Sequence, residues 1–369
     1  MSSVITKPTN ALRVLVADDT SLYRRTISEI LASIPDVEVV GAAYDGEDCL
    51  QLAEKLKPDL ITLDMQMPRR DGLSTLDEIK RRKIGCEVIM VCSETMESAD
   101  QTLIALRMGA LDMILKPSGP DSKANRTNLE AQLLQQVQTI RFCKTRRVPT
   151  PNSFGSITNS RATADPRTTP RPVSKGVFGR PKCVCIGVST GGPQALGIVF
   201  QGLPEKLGVP VFVVQHMPPV FTKSLADHLN KNSKMQVSEA VDGEMAVANR
   251  VYIAPGGKQM RVEKKPLGFQ IQITNDPPVN ACKPSVDYLF HSINTCGGKD
   301  TLAIILTGMG SDGLDGCKRL HASGARIIAQ NAESCVVYGM PRQIVENNLA
   351  HEILNLNEIS SRITQILTH

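Results

Sequence analysis

The chain has 369 residues, a length that favours two domains over a single core. Hydrophobic residues make up 41% and charged residues 21%, as in ordinary soluble proteins, and no apolar run approaches the ~18 residues that a membrane span needs. The formal net charge of +5 is mild, but between Arg141 and Lys182 ten Lys/Arg face one acid, Asp165.

The polar start, Met1 to Asn10, lacks the apolar segment of a signal peptide, so a cytoplasmic protein is expected. The ten cysteines are scattered and form no paired CxxC motifs. Cys183 and Cys185, read as alternating to opposite sides of a strand, are not expected to pair, and reduced thiols follow.

From Arg13 to Phe142, apolar runs alternate with amphipathic stretches. Strands are expected at 13–17, 37–43, 60–63, 87–92 and 113–115. Helices are expected at 21–34, 47–56, 75–83, 99–108 and 128–142, the first with Leu22, Ile27, Ile30 and Leu31 on one side. Strict alternation implies a parallel, doubly wound sheet. Residues 144–180 are rich in Pro, Ser, Thr and basic residues and read as a linker. Alternation resumes with a strand at 183–188, a helix from Pro193 and a strand at 209–215. The segment 251–273 reads as an antiparallel excursion, and strands return at 301–306 and 325–329. The expected units are therefore 1–143, 144–180 and 181–369.

Asp18 and Asp19 follow the first strand, Asp64 ends the third, and Lys116 ends the fifth, before Pro117. The carboxyl ends of a doubly wound sheet converge on one edge. Clustered carboxylates call for a cation, and oxygen ligands suit Mg²⁺. One carboxylate can attack phosphorus to form an aspartyl phosphate, with Lys116 neutralising the phosphoryl oxygens. On these residues the segment resembles the receiver domain of bacterial response regulators, which has a flavodoxin-like (βα)5 fold. The resemblance implies Asp64 as phosphoacceptor, Asp18, Asp19, Asp64 and the Gln66 carbonyl as metal ligands, and a hydroxyl at the end of the fourth strand. Cys92 or Ser93 stands there, and Ser93 is preferred for its hydroxyl. Met113 replaces the family's usual aromatic residue.

Gly187-Val188-Ser189-Thr190-Gly191 is a GxSxG run between a buried strand and a helix opened by Pro193. Such a turn projects a serine hydroxyl above the sheet, and helix-start N–H groups can stabilise an oxyanion. His216, at the end of a strand, and Asp312, after TLAIILTGM, are the candidate base and orienting acid. His228 and His291 are expected at the surface. The order Ser, His, Asp differs from that of α/β-hydrolases. The runs GVSTGGP, QHMPPVFTKSLADHLN, VYIAPGG, PPVNACKPSVDYLF, LTGMGSDG and SCVVYGMPR resemble the catalytic domain of chemotaxis methylesterases, the CheB family, across nearly all of 183–349. The resemblance implies a doubly wound α/β esterase domain with Ser189 as nucleophile, His216 as base, Asp312 as orienting acid, and Thr190 and Met309 at the oxyanion pocket. Ala281-Cys282 and Gln259 depart from the family pattern and are expected not to touch the triad.

The resemblance further implies hydrolysis of glutamyl methyl esters on methyl-accepting chemotaxis receptors, and deamidation of receptor glutamines. It implies a histidine-kinase phosphodonor, Mg²⁺ for the receiver and no cofactor for the ester step. No nucleic acid, membrane insertion or oligomer is expected. An unphosphorylated receiver is expected to cover the Ser189 edge. The competing readings are a receiver-controlled hydrolase of small esters, a DNA-binding regulator, for which 183–369 is too long and strand-rich, and an inactive receptor-binding module.

Overall fold

The computed structural model describes residues 11–144 and 178–368. Most of the expected linker, 145–177, lies outside the described residues. In the N-terminal unit the apolar runs become five parallel strands: β1 (Leu12–Ala17), β2 (Val37–Ala43), β3 (Leu60–Asp64), β4 (Glu87–Cys92) and β5 (Asp112–Leu115). Each is followed by a helix: α1 (Ser21–Ser33), α2 (Gly46–Leu56), α3 (Gly72–Arg81), α4 (Met96–Arg107) and α5 (Ser122–Lys144). The strand order is β2-β1-β3-β4-β5. β3 is buried along its whole length, as a sheet covered on both faces requires. Leu22 departs from the expected buried stripe of α1 and is 68% exposed, while Ile27, Ile30 and Leu31 are buried. It sits in the first turn of α1, immediately after the acidic loop.

The C-terminal unit opens with β6 (Cys183–Val188), α6 (Gly192–Gly202), β7 (Val211–Gln215) and α7 (Phe221–Asn232). Next come β8 (Gln236–Glu239), β9 (Met245–Ala246), β10 (Arg250–Ile253), β11 (Gln259–Lys265) and β12 (Gly268–Thr274). The chain then runs through α8 (Val286–Thr295), β13 (Thr301–Ile305), α9 (Leu314–Ala322), β14 (Arg326–Gln330), α10 (Met340–Glu346), β15 (Glu352–Leu354) and α11 (Leu356–Thr368). The main sheet has the order β15-β14-β13-β6-β7-β10-β8, with parallel pairing throughout.

Two expectations are corrected here. The VYIA run does not belong to the antiparallel excursion. As β10 it is wedged between β7 and β8 in the parallel sheet, because its buried apolar side chains need cover on both faces. Only β11, β12 and β9 form the antiparallel sheet. Cys183 and Cys185 share one face of β6, as residues two apart in a strand must. Both belong to the apolar cluster with Phe212 and Phe290, whereas Val184 and Ile186 face the other core. No disulfide joins the cysteines among the described residues.

The two units touch. One continuous apolar cluster contains Leu103 and Leu106 of α4 together with Phe200 of α6 and Leu229 of α7. The α4–β5–α5 side of the first unit thus lies against the carboxyl edge of the second sheet.

Candidate active site

β6 is the central strand, on either side of which the strand order of the second sheet runs in opposite directions. β13 lies on one side of it and β7 on the other. Ser189, Thr307 and His216 are therefore neighbours at the ends of three adjacent strands. Ser189 N–H donates to Thr307 O (3.0 Å), and His216 N–H donates to Val188 O (3.1 Å). The turn after Ser189 needs glycine, since Gly191 has φ +79°. A Cβ on Gly308 would lie 2.7 Å from Ser189 Cβ, so only glycine lets the β13 loop approach the serine this closely.

His216 Nε2 lies 2.8 Å from Asp312 Oδ2. Asp312 also accepts from Val286 N–H (2.7 Å), Asp287 N–H (3.1 Å), Ser285 Oγ (2.8 Å) and Gly313 N–H (3.1 Å). Its carboxylate thus sits at the amino end of α8, where backbone donors and the helix dipole favour negative charge. Burial alone would raise the Asp312 pKa and lower that of His216. The hydrogen bond and charge attraction between them, joined by Cys282 beside His216 and by the α8 backbone donors beside Asp312, together outweigh burial, leaving Asp312 below the usual carboxylate range and His216 above the usual imidazole range. With Nε2 engaged by Asp312, Nδ1 is the nitrogen of His216 left for other partners.

Ser189, His216, Met309 and Asp312 line one cavity of about 590 Å³. The backbone N–H groups of Thr190 and Met309 have no backbone acceptor among the described residues. The opposite wall of the cavity comes from the other unit: Asp112, Met113, Leu115, Gln132 and Gln136. Thr190 Oγ1 donates to Asp112 Oδ2 across the interface at 2.6 Å. Burial raises the Asp112 pKa, and the Thr190 hydrogen bond offsets part of that rise. Gln194 Nε2 donates to Leu106 O, and Ser224 Oγ to Asp100 Oδ1. His228, expected at the surface, instead faces Arg107 Nη1 across the interface at 3.2 Å. His291 pairs with Asp315 at 2.8 Å, on the exposed side of α8.

Two residues near the triad escaped the sequence reading. Gln215 Nε2 donates to the carbonyls of Ser189 (3.0 Å) and His216 (3.2 Å), tying the two strand ends together. Contrary to expectation, Cys282 does touch the triad, with Sγ 3.8 Å from His216 Nδ1. Loop 279–284 folds back over His216 because α8 must present its amino end to Asp312. Gln259 stays clear of His216 but braces that loop: Nε2 donates to the Cys282 carbonyl (3.2 Å), and Oε1 accepts from Ser285 N–H (2.9 Å).

In the first unit, Lys116 Nζ lies 2.8 Å from Asp64 Oδ2 and 2.9 Å from Asp18 Oδ2. Asp18, Asp19 and Asp64 each place an oxygen within 4.8 Å of the others. Burial pushes the Asp64 pKa up to about 6, with Asp18 repulsion adding to it and Lys116 working against it. A cluster of this charge, wholly of oxygen donors, with Asp18 and Asp64 buried and Asp19 exposed, fits Mg²⁺. Gln66 lines the same surface depression as Asp19. Ser93 is exposed, whereas Cys92 is buried and feels the charges of Asp64 and Lys116. At the end of β4 it is Cys92 that points inward and Ser93 that points outward.

The family model for CheB methylesterase matches residues 184–363, and that for the response regulator receiver domain matches 14–127. A protein-glutamate methylesterase/protein-glutamine glutaminase of Desulfotalea psychrophila is 43% identical over 359 residues, covering 95% of this chain and 97% of that protein. The chain belongs to the CheB methylesterase family. A Bacillus subtilis member of the same description is 43% identical over 355 residues, covering 96% of this chain and 98% of that one. Among solved structures, the CheB methylesterase catalytic domain of Thermotoga maritima is 37% identical, with a TM-score of 0.49 over 50% of this chain and 98% of its own. The response regulator domain of Thermotoga maritima CheB is 42% identical, with a TM-score of 0.32 over 36% of this chain and 97% of its own.

Proposed function

We propose that this chain removes methyl groups from glutamate methyl esters of chemoreceptors and that phosphorylation of its receiver switches it on. The observation that carries this reading is the His216–Asp312 pair beside Ser189 in a cavity walled by the receiver. Ser189 Oγ attacks the ester carbonyl carbon while His216 Nδ1 takes the hydroxyl proton. Asp312 holds the imidazole in the Nε2–H tautomer and stabilises its charged form. The Thr190 and Met309 N–H groups, free of other acceptors, receive the oxyanion. The intermediate collapses, methoxide leaves with the proton from His216 as methanol, and water then hydrolyses the acyl-enzyme to glutamate. The same steps on a primary amide convert glutamine to glutamate with loss of ammonia.

Residues 1–143 act as receiver, 144–180 as linker and 181–369 as esterase. Asp64 is the phosphoacceptor for a histidine-kinase phosphodonor. Asp18, Asp19, Asp64 and the Gln66 carbonyl would hold Mg²⁺, whose charge offsets that of the carboxylates and phosphoryl oxygens. Lys116, which pairs with Asp64, directly follows β5, whose Asp112, Met113 and Leu115 line the esterase cavity, so β5 runs from the interface to the Asp64 pocket. The protein works as a monomer in the cytoplasm. No helix among the described residues is long and apolar enough to cross a membrane.

The test is methanol release from methylated, radiolabelled receptor membranes, with and without a phosphodonor and Mg²⁺. Wild type should release methanol faster when phosphorylated, and Ser189→Ala should release none. Equal release by the two proteins would remove Ser189 from the reaction. Turnover of small esters without receptor turnover would replace the substrate.

A further inference from the structure

Cys282 is not needed for any step above, yet it lies against the one nitrogen that those steps use. Its loop is held firmly. Val279 and Cys282 exchange two backbone hydrogen bonds (3.1 and 2.8 Å), and Gln259 clamps the Cys282 carbonyl at 3.2 Å. The thiol is part-exposed and lines the cavity of about 590 Å³, a volume that has room for a hydrated ion.

Cys282 Sγ and His216 Nδ1 are 3.8 Å apart. With Zn–S of about 2.3 Å, Zn–N of about 2.05 Å and a tetrahedral angle, a shared zinc ion would set its two ligands about 3.6 Å apart. The pair is therefore spaced for zinc with almost no movement. Asp312 supplies the outer support. By accepting from Nε2–H, it fixes the tautomer that leaves Nδ1 free, the carboxylate–histidine arrangement found behind zinc-bound imidazoles. One ligand atom from each of His216, Cys282 and Asp312 falls within 4.8 Å of the other two.

We propose that Cys282 and His216 form an inhibitory site for a thiophilic divalent cation of the Zn²⁺ class. The ion occupies Nδ1 and so removes the base. Binding releases the Cys282 thiol proton, and a second proton wherever the imidazole is charged. The remaining positions on the ion are left to water. A thiolate–imidazole pair selects against Mg²⁺, which keeps to oxygen ligands. The same chain would then answer two metals in opposite senses, Mg²⁺ at the receiver and Zn²⁺ at the esterase.

The loss of turnover rests on the esterase reading, but binding of the ion does not, so the test reads both. Co²⁺ added to the full-length protein should produce a thiolate-to-cobalt charge-transfer band that Zn²⁺ abolishes. Cys282→Ser and His216→Gln should each lose this band and weaken Zn²⁺ binding by roughly tenfold or more. Zn²⁺ should inhibit wild-type methanol release reversibly, with recovery on chelation. Cys282→Ser, measured against its own zinc-free rate, should resist it. A wild-type protein without the band, or a band unchanged in Cys282→Ser, would leave only an S–H···N contact and overturn the proposal. A band without methanol release in any protein would keep the metal site and overturn the esterase reading.

Discussion

Asp312 Oδ1 accepts from Ser285 Oγ, Asp287 N–H and Gly313 N–H, and Oδ2 accepts from Val286 N–H and faces His216 Nε2. Asparagine would aim an N–H at one of these donor sets whichever way it turned. Asp312→Asn should lower kcat by roughly 10²–10⁴-fold and cost about 1–3 kcal/mol of stability. Methanol-release kinetics and a melting curve check both, and near-normal turnover would remove Asp312 from the mechanism. Gly308→Ala is a purely positional test. The new methyl would meet Ser189 Cβ at 2.7 Å and Ser189 N at 3.0 Å. Such a push should lower kcat about 100-fold, with KM little changed, because no substrate contact is removed. An equal loss in KM would assign Gly308 to binding instead. Ser189, His216 and Asp312 were legible because each follows a buried strand and such strands end at one edge. Cys282 was not, because it reaches His216 through a loop whose path depends on where α8 points. Which of Cys92 and Ser93 points inward depends on the phase of β4, which a run buried on both faces does not reveal.

At the level of elements, alternation and apolar runs placed the strands well, since burial on both faces leaves little freedom of register. The reading failed where one run served two interpretations. β10 looked like part of a hairpin because turns follow it, yet its fully buried side chains belong between β7 and β8. Leu22 fitted the helical spacing of α1 but lies in its first turn, beyond the reach of the sheet. The start of β14 carries a pH-sensitive contact. His351 Nδ1 accepts from Ile327 N–H at 3.0 Å, and its ring stacks on His321 at 5.0 Å. Burial, helped by the nearby His321 and Arg326 charges, holds its pKa down to about 4, against 6.5 for a free imidazole. Between those values the unfolded chain binds the proton that the folded one refuses, so stability must fall as pH drops through that window. The melting temperature of wild type should decline from pH 6.5 to 4 more steeply than that of His351→Gln. Identical slopes would locate the acid sensitivity elsewhere.

Across the whole molecule, a two-unit chain and a covered serine edge were readable from the order of motifs. The face that does the covering was not, because an interface between α4–β5–α5 and α6–α7 leaves no periodic trace in either segment. Gln194 tests this contact away from the chemistry. Its amide donates to Leu106 O at the end of α4. Losing one such bond, worth about 1 kcal/mol, shifts the covered–open balance about fivefold. Gln194→Ala should therefore raise the unphosphorylated rate several-fold and leave the phosphorylated rate as it was. A fall in both rates would show that Gln194 supports the site itself.

The Thr190–Asp112 bond joins the residue after Ser189 to β5, the strand that Lys116 directly follows. On the proposed reading, receptor and receiver would compete for one surface, and competition of this kind is reciprocal. Whatever factor a phosphoryl group at Asp64 adds to the affinity for a receptor helix, the receptor helix must add to the affinity for a phosphoryl mimic such as beryllium fluoride. Receptors that present the methyl ester would in this way also prime the receiver that governs its removal.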